Sequence, residues 1–420
     1  MSEASVEQKS TPVRDAVAPF ACVLLLFSGA IKSSPLLAFL PFDLTLVAAA
    51  LVCLGLAVKV AVDGLAFSVD PRAVAFFAAF LPAWFFGVQN DYVDSKMQGM
   101  LLTAVAMLGS FYLLSSEVRR KRWAMWFVVL GGFVLLNTLA FPNVEAVGRL
   151  AAEGSNTITA GRATGAALIV VFSLLLVTRG ARRLALLGLT AVFAYGMLET
   201  GSRGPVLAAA LAVIAVALFV NQSGRIRRIV LVGLGLVAGW LFISSSDSLG
   251  VGRIQAAFVT DGAATESRDA IWGAALRYLS NAPESFTGVG WANFQSVLRN
   301  GEALASGDRQ YPHNLLLETL VEGGLVAGLA TAVFVALSLV RLRRSAATPI
   351  GVVLFAMAVF FTVNAMVSGD VNDNRMMWAT LAVAWAVPVR PRRDAGRAGA
   401  GAGLTDESPT PLVATGQGPR

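Results

Sequence analysis

One histidine, two cysteines and few charges are all this 420-residue chain offers for polar chemistry. His313 is the only imidazole, and charged residues make up 14% of the chain. Soluble domains carry about 25% charged residues. A lone His with Cys22 and Cys53, each inside an apolar run, does not furnish a zinc or iron ligand set. No metal and no cofactor is therefore expected. The same two cysteines read as buried, inert packing residues rather than a disulfide. P-loop, nucleophile-elbow and paired-carboxylate glycosidase patterns are missing as well, and no internal repeat is visible. The first apolar run, Val17 to Ile31, has no small-residue cleavage site and leads into further runs, so no cleaved leader is expected.

What the chain has instead is apolar length, with hydrophobic residues at 56%. The candidate spans are Val17 to Ile31, Leu36 to Val58, Ala73 to Val88, Gly99 to Ser115, Trp123 to Phe141 and Thr164 to Thr178. They continue with Leu184 to Leu198, Pro205 to Val220, Ile229 to Ser244, Leu315 to Val340, Pro349 to Val367 and Met376 to Val387. Runs of this length read as membrane helices. The expected fold is all-α: a polytopic membrane protein of about twelve transmembrane helices, with a long helical periplasmic loop late in the chain. Its parts are an N-terminal tail (1–16), nine helices (17–244), the loop (245–313), three helices (314–389) and a tail (390–420).

The net charge of +7 does not point to nucleic acid, because the basic residues cluster between apolar runs. Alternate connections carry Lys59 and Arg72; Arg119, Arg120, Lys121 and Arg122; Arg179, Arg182 and Arg183; Arg225, Arg227 and Arg228; Arg341, Arg343 and Arg344; then Arg390, Arg392 and Arg393. The other connections are poorer in bases or mix them with acids, as in the run Asn90 to Lys96. Cytoplasmic loops hold the excess of basic residues. Both termini are thus expected in the cytoplasm, and 245–313 on the outside. The tail from Arg390, rich in Gly, Ala, Arg and Pro, reads as disordered.

Within the outer segment, Ser267 to Leu279 puts Ile271, Ala274, Ala275, Tyr278 and Leu279 on one helical face, so this helix is expected on the membrane surface or over the bundle. Gly288-Val289-Gly290-Trp291 reads as a turn with an aromatic anchor, and Gly301 to Tyr311 as a polar, mobile run. Tyr311-Pro312-His313-Asn314 closes the segment. Asn314 suits an N-cap for the apolar helix that follows. His313 would then stand at the positive end of that helix, which attracts anions and disfavours imidazolium. A neutral imidazole there suits a general base beside a phosphate, and it equally suits a plain interfacial polar residue.

Orientation in the membrane does not require the outward arginines: Arg149, Arg162, Arg203, Arg253, Arg268, Arg277, Arg299, Arg309 and Arg375. Arg203 is the sharpest, in the tight turn Thr200-Gly201-Ser202-Arg203-Gly204-Pro205 before an apolar run. An arginine at membrane depth has an anionic partner, and a lipid headgroup, Glu199 or a substrate phosphate would serve. Arg268 opens the amphipathic helix, with Glu266 and Asp269 as local salt-bridge candidates. Arg162, in Gly161-Arg162-Ala163-Thr164-Gly165, is a weaker version of the same pattern. Glu318 and Glu322 fall one turn apart on the helix after His313, where they orient Arg or His side chains or line a polar seam beside Gly323, Gly324 and Gly328. Asp370, Asp373 and Arg375 form a further outward turn.

Taken in order, the motifs are Ser202-Arg203-Gly204, then Ser267-Arg268-Asp269-x-x-Trp272 and Gly288-Val289-Gly290-Trp291-x-x-Phe294. His313-Asn314-x-x-Leu317-Glu318-x-x-x-Glu322-Gly323-Gly324 comes last. The series resembles the bacterial O-antigen ligase and O-antigen polymerase family of inner-membrane glycosyltransferases, chiefly over Thr200 to Leu329. The resemblance implies a multi-pass protein of the bacterial inner membrane. It implies glycan transfer from an undecaprenyl-pyrophosphate carrier to lipid A core or to another glycan acceptor, among membrane lipids and with no nucleic acid. By resemblance, Arg203 and Arg268 hold the pyrophosphate, Arg162 is a looser addition, and His313 deprotonates or positions the acceptor hydroxyl. Asn314 and Glu318 play supporting parts. The ligase reading leads, a polymerase of O-antigen or exopolysaccharide follows, and a pilin-modifying oligosaccharyltransferase is a third relative.

The rival from another class is a polytopic transporter. Transporters of the major facilitator kind have two similar halves. Here neither half echoes the other, and the long segment lies late and outward.

Overall fold

The computed structural model describes residues 12–63, 76–86, 91–143, 150–151, 155–220, 224–259, 263–281, 286–299 and 311–386. Arg72, Arg149, Arg309, most of the polar run from Gly301 and both tails, with Arg390, Arg392 and Arg393, lie outside the described residues. So do the side chains of Glu266 and Arg299.

Every regular element described is helical. In order they are α1 (Pro12–Ile31), α2 (Leu44–Asp63), α3 (Pro82–Phe86), α4 (Asp91–Leu113), α5 (Glu117–Ala140), α6 (Thr157–Val177) and α7 (Arg182–Glu199). There follow α8 (Arg203–Phe219), α9 (Arg225–Ser245), α10 (Leu249–Val259), α11 (Ala263–Asn281), α12 (Phe294–Arg299), α13 (Leu315–Ser345), α14 (Pro349–Val367) and α15 (Arg375–Ala386). Six of these are long and apolar enough to cross a membrane: α2, α5, α6, α9, α13 and α14. Three shorter apolar helices accompany them, Asp15–Ile31, Phe76–Phe85 and Arg203–Phe219.

Burial separates the centre from the rim. The apolar windows of α6 and α14 are 83% and 78% buried, whereas those of α2 and α9 are 17% and 11% buried. α6 reaches the centre because Ala160, Gly161, Ala163, Gly165, Ala166 and Ala167 are small, and small faces let helices approach closely. α14 lies against α6, α8 and α13. On the rim, Cys53 is exposed on α2 while Cys22 is buried, which corrects the expectation that both are enclosed. The apolar window of α2 is only 17% buried, and this thiol lies on its exposed side.

α13 is broken at Gly324, where φ is 74° and ψ is −177°. The break takes the carbonyls of Val321 and Glu322 out of the helical ladder, and the chain replaces their donors. Val289 N–H reaches Val321 O at 2.9 Å, and Gly290 N–H reaches Glu322 O at 3.0 Å. Irregular backbone inside a membrane protein persists only where such partners exist. Gly288 and Gly324 both have positive φ; a Cβ on Gly288 would strike the backbone of Glu322 and Gly324, and one on Gly324 the backbone of Phe286 and Thr287, so neither has room for it.

The helix ends sort by charge. Arg227, at the start of α9, donates to Leu176 O at the end of α6, and Arg341, near the end of α13, to Ala384 O at the end of α15. Arg343 stacks over Phe219, the last residue of α8. At the opposite end of the same helices stand Arg162, Arg203, His313 and Arg375. Thus α6, α8, α13 and α15 all begin at the His313 end and finish at the arginine-clustered end.

Candidate active site at the His313 end

Asn314 caps α13, its side-chain oxygen accepting from Leu317 N–H at 3.1 Å. Immediately before the cap the chain turns sharply, and His313 takes φ 53°, in the left-handed region. A non-glycine residue there is uncommon and is held in place by its surroundings. Two contacts hold it. The Trp272 indole of α11 donates to Pro312 O at 2.7 Å, and the Tyr311 ring lies 4.5 Å from the imidazole. The His313 Nδ1 is buried and has no hydrogen-bond partner among the described residues.

α11 reaches the loop because its apolar face is buried as its periodicity requires. Ile271, Ala274 and Ala275 join Phe294, Leu298 and Val321 in a small cluster, with Tyr278 and Leu279 packed at its edge. Arg268 stands exposed on the same helix.

Charge around His313 is asymmetric. Burial, then the guanidinium groups of Arg268 and Arg162, push the imidazole below its ordinary pKa, while Asp370 pulls the other way. The ring is therefore kept neutral, as a base must be. Arg268 reaches solvent, yet partial desolvation by the protein around it and then the Arg203 charge disfavour its cation. Two guanidinium groups repelling each other across a site are a place for an anion.

Arg203 starts α8 on an exposed position after Gly201, whose φ of 63° makes the turn. Ser202, the preceding cap residue, makes no side-chain cap bond, and its buried hydroxyl is unpartnered among the described residues. The turn is seated on α6, where a Cβ on Gly161 would meet Thr200, Ser202 and Pro205. No ion pair joins Arg203 to Glu199 among the described residues.

Arg162 is more constrained. It is buried at the start of α6, donating to Ser368 O at 2.7 Å and Asp373 O at 3.0 Å. Its Nε has no partner among the described residues. Arg162 therefore braces the loop between α14 and α15, whereas Arg203 and Arg268 stay exposed. In that loop Asp370 accepts from the N–H groups of Asn372 and Asp373 at 2.8 and 2.7 Å, and Tyr311 O–H reaches Asp373 at 3.4 Å.

Among the described residues Glu318 and Glu322 pair with neither Arg nor His. They hold Lys96, whose Nζ lies 2.6 Å from Glu318 Oε1 and 2.5 Å from Glu322 Oε2, all three side chains being essentially inaccessible. The sequence places Lys96 in a polar connection before Gly99. The structure puts it inside α4, where two carboxylates offset its burial. A lysine one turn ahead of an apolar run was the only hint.

The site thus has one imidazole, two exposed cations, a braced third cation and an acidic loop. Such a set can activate a hydroxyl beside a bound anion. No curated protein and no solved structure matches the chain. Residues 188–332 match the family model described as O-antigen ligase, a stretch running from α7 through Arg203, Arg268 and His313 into α13, with Lys96 and Arg162 outside it. Over that stretch, about a third of its length, the chain is similar to the O-antigen ligase family.

Proposed function

We propose that the chain is a metal-independent, inverting glycosyltransferase, an O-antigen ligase that moves a glycan from undecaprenyl pyrophosphate to lipid A core. The observation that carries this reading is the strained turn that holds His313, its Nδ1 buried and without a partner among the described residues, near Arg268 and within the stretch that matches the O-antigen ligase model. In the reaction His313 takes the proton of the acceptor hydroxyl, and that oxygen bonds to the anomeric carbon. The carbon–oxygen bond to the pyrophosphate breaks, and the electron pair leaves with it. A sugar pyrophosphate is already a good leaving group, so cations that take up the developing charge replace a general acid. Arg203 and Arg268 do so through planar, bidentate contacts. Attack from the face opposite the leaving group inverts the centre.

In the same reading the chain crosses the bacterial inner membrane about twelve times, with both termini cytoplasmic and 245–313 periplasmic. The separation of the clustered arginines from the His313 end supports that orientation. A polymerase has the same donor chemistry and differs in acceptor. Gel analysis of lipopolysaccharide from a deletion strain separates them. Loss of all long chains with accumulation of lipid-linked polymer means ligase, and core bearing a single repeat means polymerase. Long chains unchanged in that strain would refute both.

A further inference from the structure

We infer that Lys96 is a positioning residue for the transfer reaction, tying the helix that carries His313 to the loop that Arg162 braces. This rests on the reading of His313 as the base. Three observations meet at this lysine. Its Nζ joins Glu318 and Glu322, the first one turn past the Asn314 cap and the second just before the Gly324 break. Its carbonyl accepts from Asn372 Nδ2 at 2.8 Å, and Asn372 belongs to the loop whose Ser368 and Asp373 carbonyls hold Arg162. The approach is close, since a Cβ on the neighbouring Gly99 would come 2.6 Å from Asn372 Nδ2.

Glu322 extends the tie. Its carboxylate also accepts from Ala292 N–H at 3.0 Å and Phe294 N–H at 3.4 Å, fixing the segment that repairs the break in α13. Glu322 thus has three donors, whereas Glu318 uses one oxygen on Lys96 and leaves Oε2 buried and without a partner among the described residues. A buried lysine with two carboxylates is costly to assemble, and its best-attested use is to set geometry rather than to add stability. Lys96 touches neither His313 nor Arg162; it holds their supports at one spacing. The base and the braced cation keep their separation only while that hub is intact.

The test must separate positioning from folding. Lys96→Met alone leaves two unpaired buried carboxylates and is expected to fail to accumulate. The triple variant Lys96→Met/Glu318→Gln/Glu322→Gln removes all the charge together. Asn372→Ala cuts the second tie at a half-buried side chain. Because the chain has one imidazole, a 15N-histidine-labelled full-length protein in detergent reports His313 without any substrate. The groups facing it are Arg268, Arg162, Asp370 and Tyr311. In the folded triple variant and in Asn372→Ala, the His313 titration is expected to move up toward the ordinary imidazole value, because the Arg162 guanidinium is no longer held near it. With a synthetic polyprenyl-pyrophosphate disaccharide as donor, kcat is expected to fall at least tenfold while donor KM stays within twofold. A wild-type titration and wild-type kcat in Asn372→Ala would overturn the proposal, as would a donor KM that rises with kcat unchanged. Wild-type transfer by His313→Ala overturns the assigned base instead, so the two failures are told apart.

Discussion

The indole of Trp272 donates to the carbonyl of Pro312 at 2.7 Å, fastening the amphipathic helix α11 to the residue just before His313. The bond matters because His313 sits at φ 53°, a conformation costing about 1–3 kcal/mol that the surroundings must supply. Trp272→Phe keeps the ring and removes the donor. A hydrogen bond of this kind contributes about 0.5–1.5 kcal/mol net. Transfer is expected to fall up to about tenfold, since 1.4 kcal/mol is a factor of ten. Accumulation in the membrane should stay normal. Steady-state kinetics on purified protein check this, and an unchanged kcat would remove Trp272 from the device.

Arg203→Lys keeps the charge and loses the planar fork. Lysine offers a point charge with rotatable donors, so a bidentate phosphate contact is not rebuilt. Donor KM is expected to rise roughly tenfold or more in Arg203→Lys, given about 1.5–3 kcal/mol for a hydrogen bond to a charged group. The acceptor KM should move little. Full restoration by lysine would mean that Arg203 supplies only field.

Parts of the site carried by local pattern were legible in the sequence. The buried face of α11 follows from a 3.6-residue period, and the Asn314 cap from one residue type before an apolar run. The arginine clusters at helix ends were readable because that rule is also local. What long-range pairing decides was not readable. Lys96 meets Glu318 across 222 positions, and Arg162 meets Ser368 across 206. Nothing near Lys96 announces that two carboxylates will fold over it, so it read as one more loop cation. The left-handed turn at His313 was equally hidden, because it depends on Trp272 arriving from a helix 40 positions away.

Gly324→Ala tests the broken helix. Its φ of 74° with an extended ψ belongs to a region that is essentially glycine's alone, and a Cβ there would strike the Phe286 carbonyl. Alanine forces the backbone toward continuous helix, which would strip Val289 and Gly290 of their acceptors. The expected loss is about 2–3 kcal/mol for strain and two hydrogen bonds. Thermal unfolding followed by size-exclusion chromatography in detergent should show a midpoint lower by several degrees. An unchanged midpoint would mean the break is not needed.

The acid side of the pH profile belongs to His313. Its imidazole is pushed below the ordinary value first by burial, then by Arg268 and Arg162, so the neutral ring persists into more acidic solution than a free histidine allows. A base must be neutral, and kcat is therefore expected to hold down to the folded-state pKa and to fall below it. Removing Arg268 as Arg268→Gln takes away one of the repelling charges. The acid limb should then move to higher pH, and the 15N signal of the sole imidazole should move with it. Stability follows the same sign. With the folded pKa lower than the unfolded one, the unfolded chain takes up the proton first as pH drops. This group's contribution is present above the unfolded pKa and is lost as pH falls through the folded pKa. His313→Gln should remove that slope from the melting profile while abolishing transfer. An acid limb that Arg268→Gln leaves in place would show that the guanidinium does not set the base.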